Sequence, residues 1–297
     1  MNSLLLRVGL ATLCGLAARL MLLRLDYRQY PSLPQGVLVH GTLGLIAAAL
    51  GAMAVPALAA EEYAAVTFLA LAATQFRDVR QMERDSLLNS EKGEMLPRGK
   101  AYVEDIARRF EARNYVAMLT ALVVSLALHV GLALVWAIAC GVGIAIVLAF
   151  ATYPQKLNKI ADVKASKLQF EGPLLMVEDI VIANVGLESS RQRWREYGVA
   201  CVVHPKDDNA RNLLAQPGQR VAMVYDVGVQ LGFGRSEDEG ELMPMARIDA
   251  LTGKVAIVSL VAEPDEEAMV QAIRECPVLE SAARSPLASK AGRMAAD

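Results

Sequence analysis

The chain has 297 residues, 54% of them hydrophobic, and its mean hydropathy of +0.32 is too high for a wholly soluble protein. The net charge of −2 hides an imbalance: residues 1–167 carry 17 Lys/Arg against 12 Asp/Glu, whereas residues 168–297 carry 13 against 20. An acidic second half argues against nucleic acid as a partner, because phosphate binding needs clustered Lys and Arg. The four cysteines, Cys14, Cys140, Cys201 and Cys276, form no CxxC and read as buried free thiols rather than a disulfide or zinc framework.

Five apolar stretches occupy the first half: residues 4–24, 36–58, 60–76, 115–131 and 132–152. Each is near the roughly 17–25 residues that a helix needs to cross the hydrocarbon core. The first follows Arg7 as a signal peptide would, but further apolar stretches come after it, so a retained helix is expected. The fold class expected is an α-helical membrane bundle of five spans followed by a small α+β cytosolic domain. The domains run 1–76 (three spans), 77–114 (a basic cytoplasmic loop with an amphipathic helix), 115–153 (two spans), 154–280 (the α+β domain) and 281–297 (a disordered tail).

Basic residues in short loops mark the cytoplasmic side. The first connection carries Arg28 with Arg24 at its edge; the second carries Glu61 and Glu62 and no base. The third carries nine bases from Arg77 to Arg113, the fourth is an uncharged turn near Gly131, and Lys156, Lys159, Lys164 and Lys167 follow the last span. The alternation predicts a multi-pass cell-membrane protein with its N-terminus outside and its C-terminal domain in the cytoplasm. The third span is the weakest, being short with Glu61 and Glu62 at its mouth.

Ionisable residues at membrane depth are functional candidates by default. Arg7 and Arg19 lie near the ends of the first helix, where long side chains reach the headgroups; His40 and His129 read as interfacial or internally satisfied. No carboxylate lies at mid-span, which counts against a proton- or cation-coupled transporter. Gly44, Ala48, Gly51 and Ala52 form one small-residue stripe, and Gly141, Ala145 and Ala149 another. Small side chains let helix backbones approach closely, within this bundle or against a second subunit.

In the basic loop, Pro97 and Gly99 precede a helical pattern. Tyr102, Ile106 and Phe110 recur every four residues, with Val103 and Ala107 beside them. Glu104–Arg108 and Asp105–Arg109 are i,i+4 pairs in the favourable order. Such a helix would lie on headgroups or pack on the cytoplasmic domain. The interaction candidates are therefore Tyr102, Glu104, Asp105, Ile106, Arg108, Arg109 and Phe110.

The hexapeptide Tyr102-Val103-Glu104-Asp105-Ile106-Ala107 resembles the motif Tyr-Ile-Glu-Gly-Ile-Ala that names the YIEGIA family of membrane proteins from endospore-forming bacteria. It departs at Val103 and at Asp105, where a charged residue replaces glycine. The continuation to Tyr115, and the layout of several spans before an α+β tail, are similar too. The resemblance implies a role linked to sporulation and no known chemistry.

In the domain, residues 174–185 read as a strand and 189–197 as a helix capped by Ser189 or Ser190. Residues 198–204 read as a buried strand and 208–215 as a helix stopped by Pro217-Gly218. Residues 219–231 read as a strand, and Gly232-Phe233-Gly234 opens an acidic loop. A hairpin follows over 245–250 and 254–261, then a helix from Pro264 to about Glu275. His204 with Asp207 and Asp208 is a candidate acid–base group, but Pro205 makes it a strand-end turn. Gly232 and Gly234 lack the third glycine and following helix of a phosphate cradle. Glu237-Asp238-Glu239 could hold a divalent cation but reads as a solvated loop. Cys201 has no evident base.

No catalytic residue, metal ligand or cofactor is assigned. The leading expectation is a non-enzymatic membrane component of a sporulation-linked complex, with lipids and either a protein partner or further copies of itself around it. The alternatives are a channel or transporter subunit that must oligomerise, and a membrane-bound enzyme of unknown reaction.

Overall fold

The computed structural model describes residues 2–26, 34–94, 96–232, 243–283 and 288–294. They fall into two compact units: Met1–Leu87 with Ile106–Tyr153, and Leu88–Asp105 with Pro154–Asp297.

The first unit is helical: α1 (Asn2–Asp26), α2 (Pro34–Ala59), α3 (Tyr63–Ser90), α4 (Lys100–His129) and α5 (Leu134–Ala151). Among the described residues, four segments are long and apolar enough to cross a membrane, Leu4–Leu23, Gly36–Ala59, Lys100–His129 and Leu134–Ala151. The apolar stretch 60–76 does not stand alone. It supplies the first half of α3, a 28-residue helix whose second half is polar. The span read from residue 115 is likewise the end of α4, which starts at Lys100. Most of the connection read as a loop is therefore helix, broken near Pro97 and Gly99, where Gly99 takes φ +87°. That is a left-handed conformation that glycine adopts without a side-chain clash.

α3 and α4 run antiparallel in this unit. Phe76 packs on Tyr115 with ring centroids 6.2 Å apart, and Arg80 Nη1 donates to Glu111 Oε2 at 2.9 Å. Four residues onward in one helix match four residues back in the other. The interior is rich in small side chains, Ala11, Ala47, Ala48, Ala52, Ala117, Ala121 and Ala137, packed with Phe76, Val124 and Leu128. Gly15 faces the carbonyl of Ala117, Gly51 faces the backbone of Met118, and Gly141 faces Val124. Gly44, Ala48 and Gly51 thus lie inside the bundle, and Ala145 is half-buried.

Among the described residues the second unit holds seven strands: β1 (Ala161–Ser166), β2 (Leu168–Glu171), β3 (Leu174–Val177), β4 (Ile180–Asn184), β5 (Gly198–Pro205), β6 (Met245–Ile248) and β7 (Val255–Leu260). Its helices are α6 (Glu188–Tyr197), α7 (Asp208–Leu214), α8 (Pro217–Leu231), α9 (Glu266–Glu275) and α10 (Lys290–Met294). Strands β1-β5-β7-β6 form one antiparallel sheet and β2-β3-β4 another. Ala200, Val202, Ala256, Val258 and Leu260 on one face share a core with Leu175, Val177, Ile182 and Trp194. The alternate residues Val199, Cys201, Val203, Val255 and Ile257 are buried too, with α9 against β1 and β5 and α8 against β7.

Several sequence readings are corrected. Residues 219–231 are helix, not strand. Pro217 starts α8 rather than stopping α7, and Gln219, Met223 and Val227 share the buried face at four-residue spacing. The stretch 174–185 is two strands turning at Glu178, φ +49°. Neither Ser189 nor Ser190 caps α6; its cap position is Leu187, and Ser190 is buried within the helix. α9 starts at Glu266, two residues after Pro264, with Asp265 as its cap accepting from Ala268 N at 2.9 Å. In the stretch read as a tail, Ala282 is buried and 290–294 are helical. Cys140 is exposed and Cys14 half-buried, whereas Cys201 and Cys276 are buried; all four are free.

Candidate functional site

The densest polar grouping in the first unit lies within the span-capable helices. Arg19 of α1 is 0% exposed. Its Nε donates to Asn114 Oδ1 of α4 at 3.2 Å, and its Nη2 donates to His40 Nδ1 of α2 at 2.9 Å. Arginine has no acceptor, so Nδ1 accepts and the imidazole proton sits on Nε2. The guanidinium also lies over the Phe110 ring, 5.7 Å from its centroid, and His40 meets that ring edge-on at 4.7 Å. Arg113 is buried close enough to feel the charge of Arg19. One cation therefore ties three helices together inside an apolar bundle, where a hydrogen-bonded charge is worth far more than in water.

The sequence makes room for it. A Cβ on Gly44 would come within 2.5 Å of Arg19 Cγ, so the absence of a side chain there seats the arginine. The sequence reading sends Arg19 outward to the headgroups; the structure turns it inward. The signal was Gly44 one turn after His40. Asn114 and Arg113 were missed as cluster members because they read as the loop's polar end.

The hexapeptide segment is used internally. Tyr102, Val103, Asp105, Ile106, Ala107 and Phe110 are buried, Glu104 and Arg109 half-buried, and Arg108 exposed. In the second unit, Tyr102 OH donates to Asp226 Oδ1 at 3.2 Å, and its ring packs edge-on against Tyr225 at 6.0 Å. Arg98 donates to the Tyr225 hydroxyl at 2.8 Å and lies over that ring. The helix start is thus fastened to α8.

The chemical candidates of the domain are spent on structure. Asp207 caps α7 by accepting from Ala210 N at 2.7 Å. His204 lies on β5 opposite Asp162 of β1, and desolvation, with help from Lys254, holds its pKa below the ordinary histidine value. Burial pushes the Cys201 thiol well up, which removes the thiolate a nucleophile needs. Residues 233–242, with Phe233, Gly234 and the Glu237-Asp238-Glu239 run, lie outside the described residues. Among those described, no group of three or more His, Cys, Asp or Glu is placed to hold a metal ion.

The chain thus combines helices long and apolar enough to cross a membrane with an antiparallel α+β unit, the two joined through α4. The chain belongs to the YIEGIA family: the model described as "YIEGIA protein" matches residues 7–289. It is similar to the "Uncharacterized protein YphB" of Bacillus subtilis (strain 168), 41% identical over 275 residues, which is 92% of each chain. No solved structure matches it.

Proposed function

We propose that the protein is a non-enzymatic integral membrane component of a sporulation-linked complex, with the α+β unit as its docking module on the cytoplasmic side. One observation carries the reading: Leu88–Asp105 and Pro154–Asp297 form one compact unit. Segments of one folded unit share one aqueous side, so α4 and α5 cross as a pair. The uncharged turn between them then faces the other side.

The antiparallel match of α3 with α4 supports a fifth crossing by the apolar half of α3. With the charge alternation, it supports an N-terminus outside and the basic connections within. The link to sporulation is supported by membership of the family and by a relative from an endospore-forming species. A docking role is supported by Leu187 and Val181, exposed at 64% and 46% beside the turn between β4 and α6.

Two experiments test the reading. In sealed cells carrying Cys140→Ser, an impermeant maleimide should label Val130→Cys and spare Leu251→Cys; labelling of Leu251→Cys overturns the topology. Purified in mild detergent, the protein should keep one partner, or further copies of itself, at fixed stoichiometry. Leu187→Asp should release it. A clean monomer overturns the docking role.

The buried Arg19 cluster favours a second reading, a channel or transporter subunit that oligomerises. Solute flux in reconstituted vesicles, abolished by Arg19→Ala, would decide for it.

A further inference from the structure

The chain passes into the α+β unit at two places, at the start of α4 and just after α5, and one short segment touches both. α9 ends at Glu275, and residues 276–282 follow without helix or regular strand. Their backbone is nonetheless bonded almost atom by atom. Leu157 N donates to Cys276 O at 3.0 Å, and Val278 N donates to Gln155 O at 2.8 Å, around a bridge between Lys156 and Pro277. Lys156 also pairs with Glu275.

The other side of the segment is held by two buried side chains. Gln219 of α8, 0% exposed, uses both ends of its amide. Its Nε2 donates to Pro277 O at 3.0 Å, and its Oε1 accepts from Leu279 N at 2.8 Å. Asp105 of α4, 3% exposed, accepts from Glu280 N through Oδ1 at 3.1 Å. Cys276, Val278, Leu279 and Ala282 fill the space beneath. An ordinary loop is solvated along its backbone; this one is read by side chains as a bound peptide is.

We propose that residues 276–282 are a clasp that fastens both passages of the chain into the α+β unit, with Gln219 and Asp105 as its latch residues. When the latch holds, 155–157 and the start of α4 are fixed to the same scaffold. When it opens, both are released together. The proposal is independent of the docking reading.

Hydrogen exchange on the full chain in lipid nanodiscs tests it. Asp105→Ala should speed exchange at Leu279 and Glu280, on the order of ten-fold for one lost anchoring bond. The amides of 155–157 should loosen with them, while α9 stays protected. Asp105→Asn keeps an acceptor oxygen but not the charge, and should retain wild-type protection. Gln219→Leu should free the segment from the α8 side and again loosen 155–157. If 278–280 loosen while 155–157 do not change, the segment is a packed tail and the clasp is wrong. Unchanged exchange throughout, or an Asp105→Asn variant as loose as Asp105→Ala, overturns it equally.

Discussion

The two units solve burial in opposite ways. In the helical unit many large apolar side chains face outward, including Met21, Trp136 and Phe150, the last at 79% exposure, while the interior is rich in alanine and glycine around a few large residues such as Phe76, Ile106 and Phe110. In the α+β unit the large residues Trp194, Ile182, Leu214, Met223 and Ile257 are inside. Water drives the second arrangement, because burying a large side chain removes apolar surface from solvent. A lipid-like surrounding removes that drive. Helices then associate through close backbone approach and a few strong polar contacts. The same inversion governs polar groups. The helical unit gathers Arg19, His40 and Asn114 into one buried knot, whereas the deeply buried polar side chains Gln219 and Asp105 of the α+β unit each anchor backbone, and Asp207 and Asp265 cap helices.

Substitutions that disturb one mode and spare the other sharpen the contrast. The largest effect is expected at Gly51, where a Cβ would collide with the backbone carbonyl of Met118. Backbone cannot swing aside, so Gly51→Ala should cost about 1–3 kcal/mol or more. Gly143→Ala on α5, with open space around it, should be near neutral. Thermal unfolding in nanodiscs compares them; equal stabilities would break the close-packing account of the bundle.

Next comes Arg19→Ala. Removing the cation strands Asn114 Oδ1 and His40 Nδ1 in an apolar interior, at about 1–3 kcal/mol for each unsatisfied group. Arg19→Met fills most of the space but donates no hydrogen bond, so it leaves the same two groups unsatisfied and should be milder only by the cavity it avoids. If Arg19→Met melts like the parent, the knot is not what holds α1, α2 and α4.

The smallest effect concerns His204. Its folded pKa is depressed, so the unfolded chain takes up the proton more readily. The stability of the α+β unit should be full above the ordinary histidine pKa of about 6.5 and decline as pH falls through and below it. Urea melts at pH 7.5 and 5.5 should differ less in His204→Gln than in the parent; an identical difference would remove His204 from the pH response.

Composition made the helical unit legible from outside, since lipid-length apolar stretches announce themselves whatever they pack on. Its interior was not legible. Nothing local to Arg19 distinguishes a snorkelling arginine from a buried one; Gly44, on another helix, decides it. In the α+β unit, strand β5 and the helix before Glu275 could be read, because buried β-branched runs and acidic helix starts are local signals. α8 was misread because Val221, Val224, Val227 and Val229 favour strand locally, while the buried spacing of Gln219, Met223 and Val227 answers to tertiary packing. The hexapeptide was read as an amphipathic helix that lies on headgroups or packs on the domain, because an apolar stripe beside charges fits both. The deciding contacts, of Tyr102 with Tyr225 and Asp226 and of Asp105 with Glu280, come from partners more than a hundred residues away.

The α+β unit is discontinuous in the chain, and this governs the order in which it can be made. Residues 88–105 leave the ribosome before Ile106–Tyr153, and before every strand they will support. The nascent protein must hold that strip unpaired until α8 has been synthesised. For the same reason, a fragment beginning at Pro154 would lack the strip that covers Tyr225 and Val221, and would be a poor substitute for the whole chain in any binding assay.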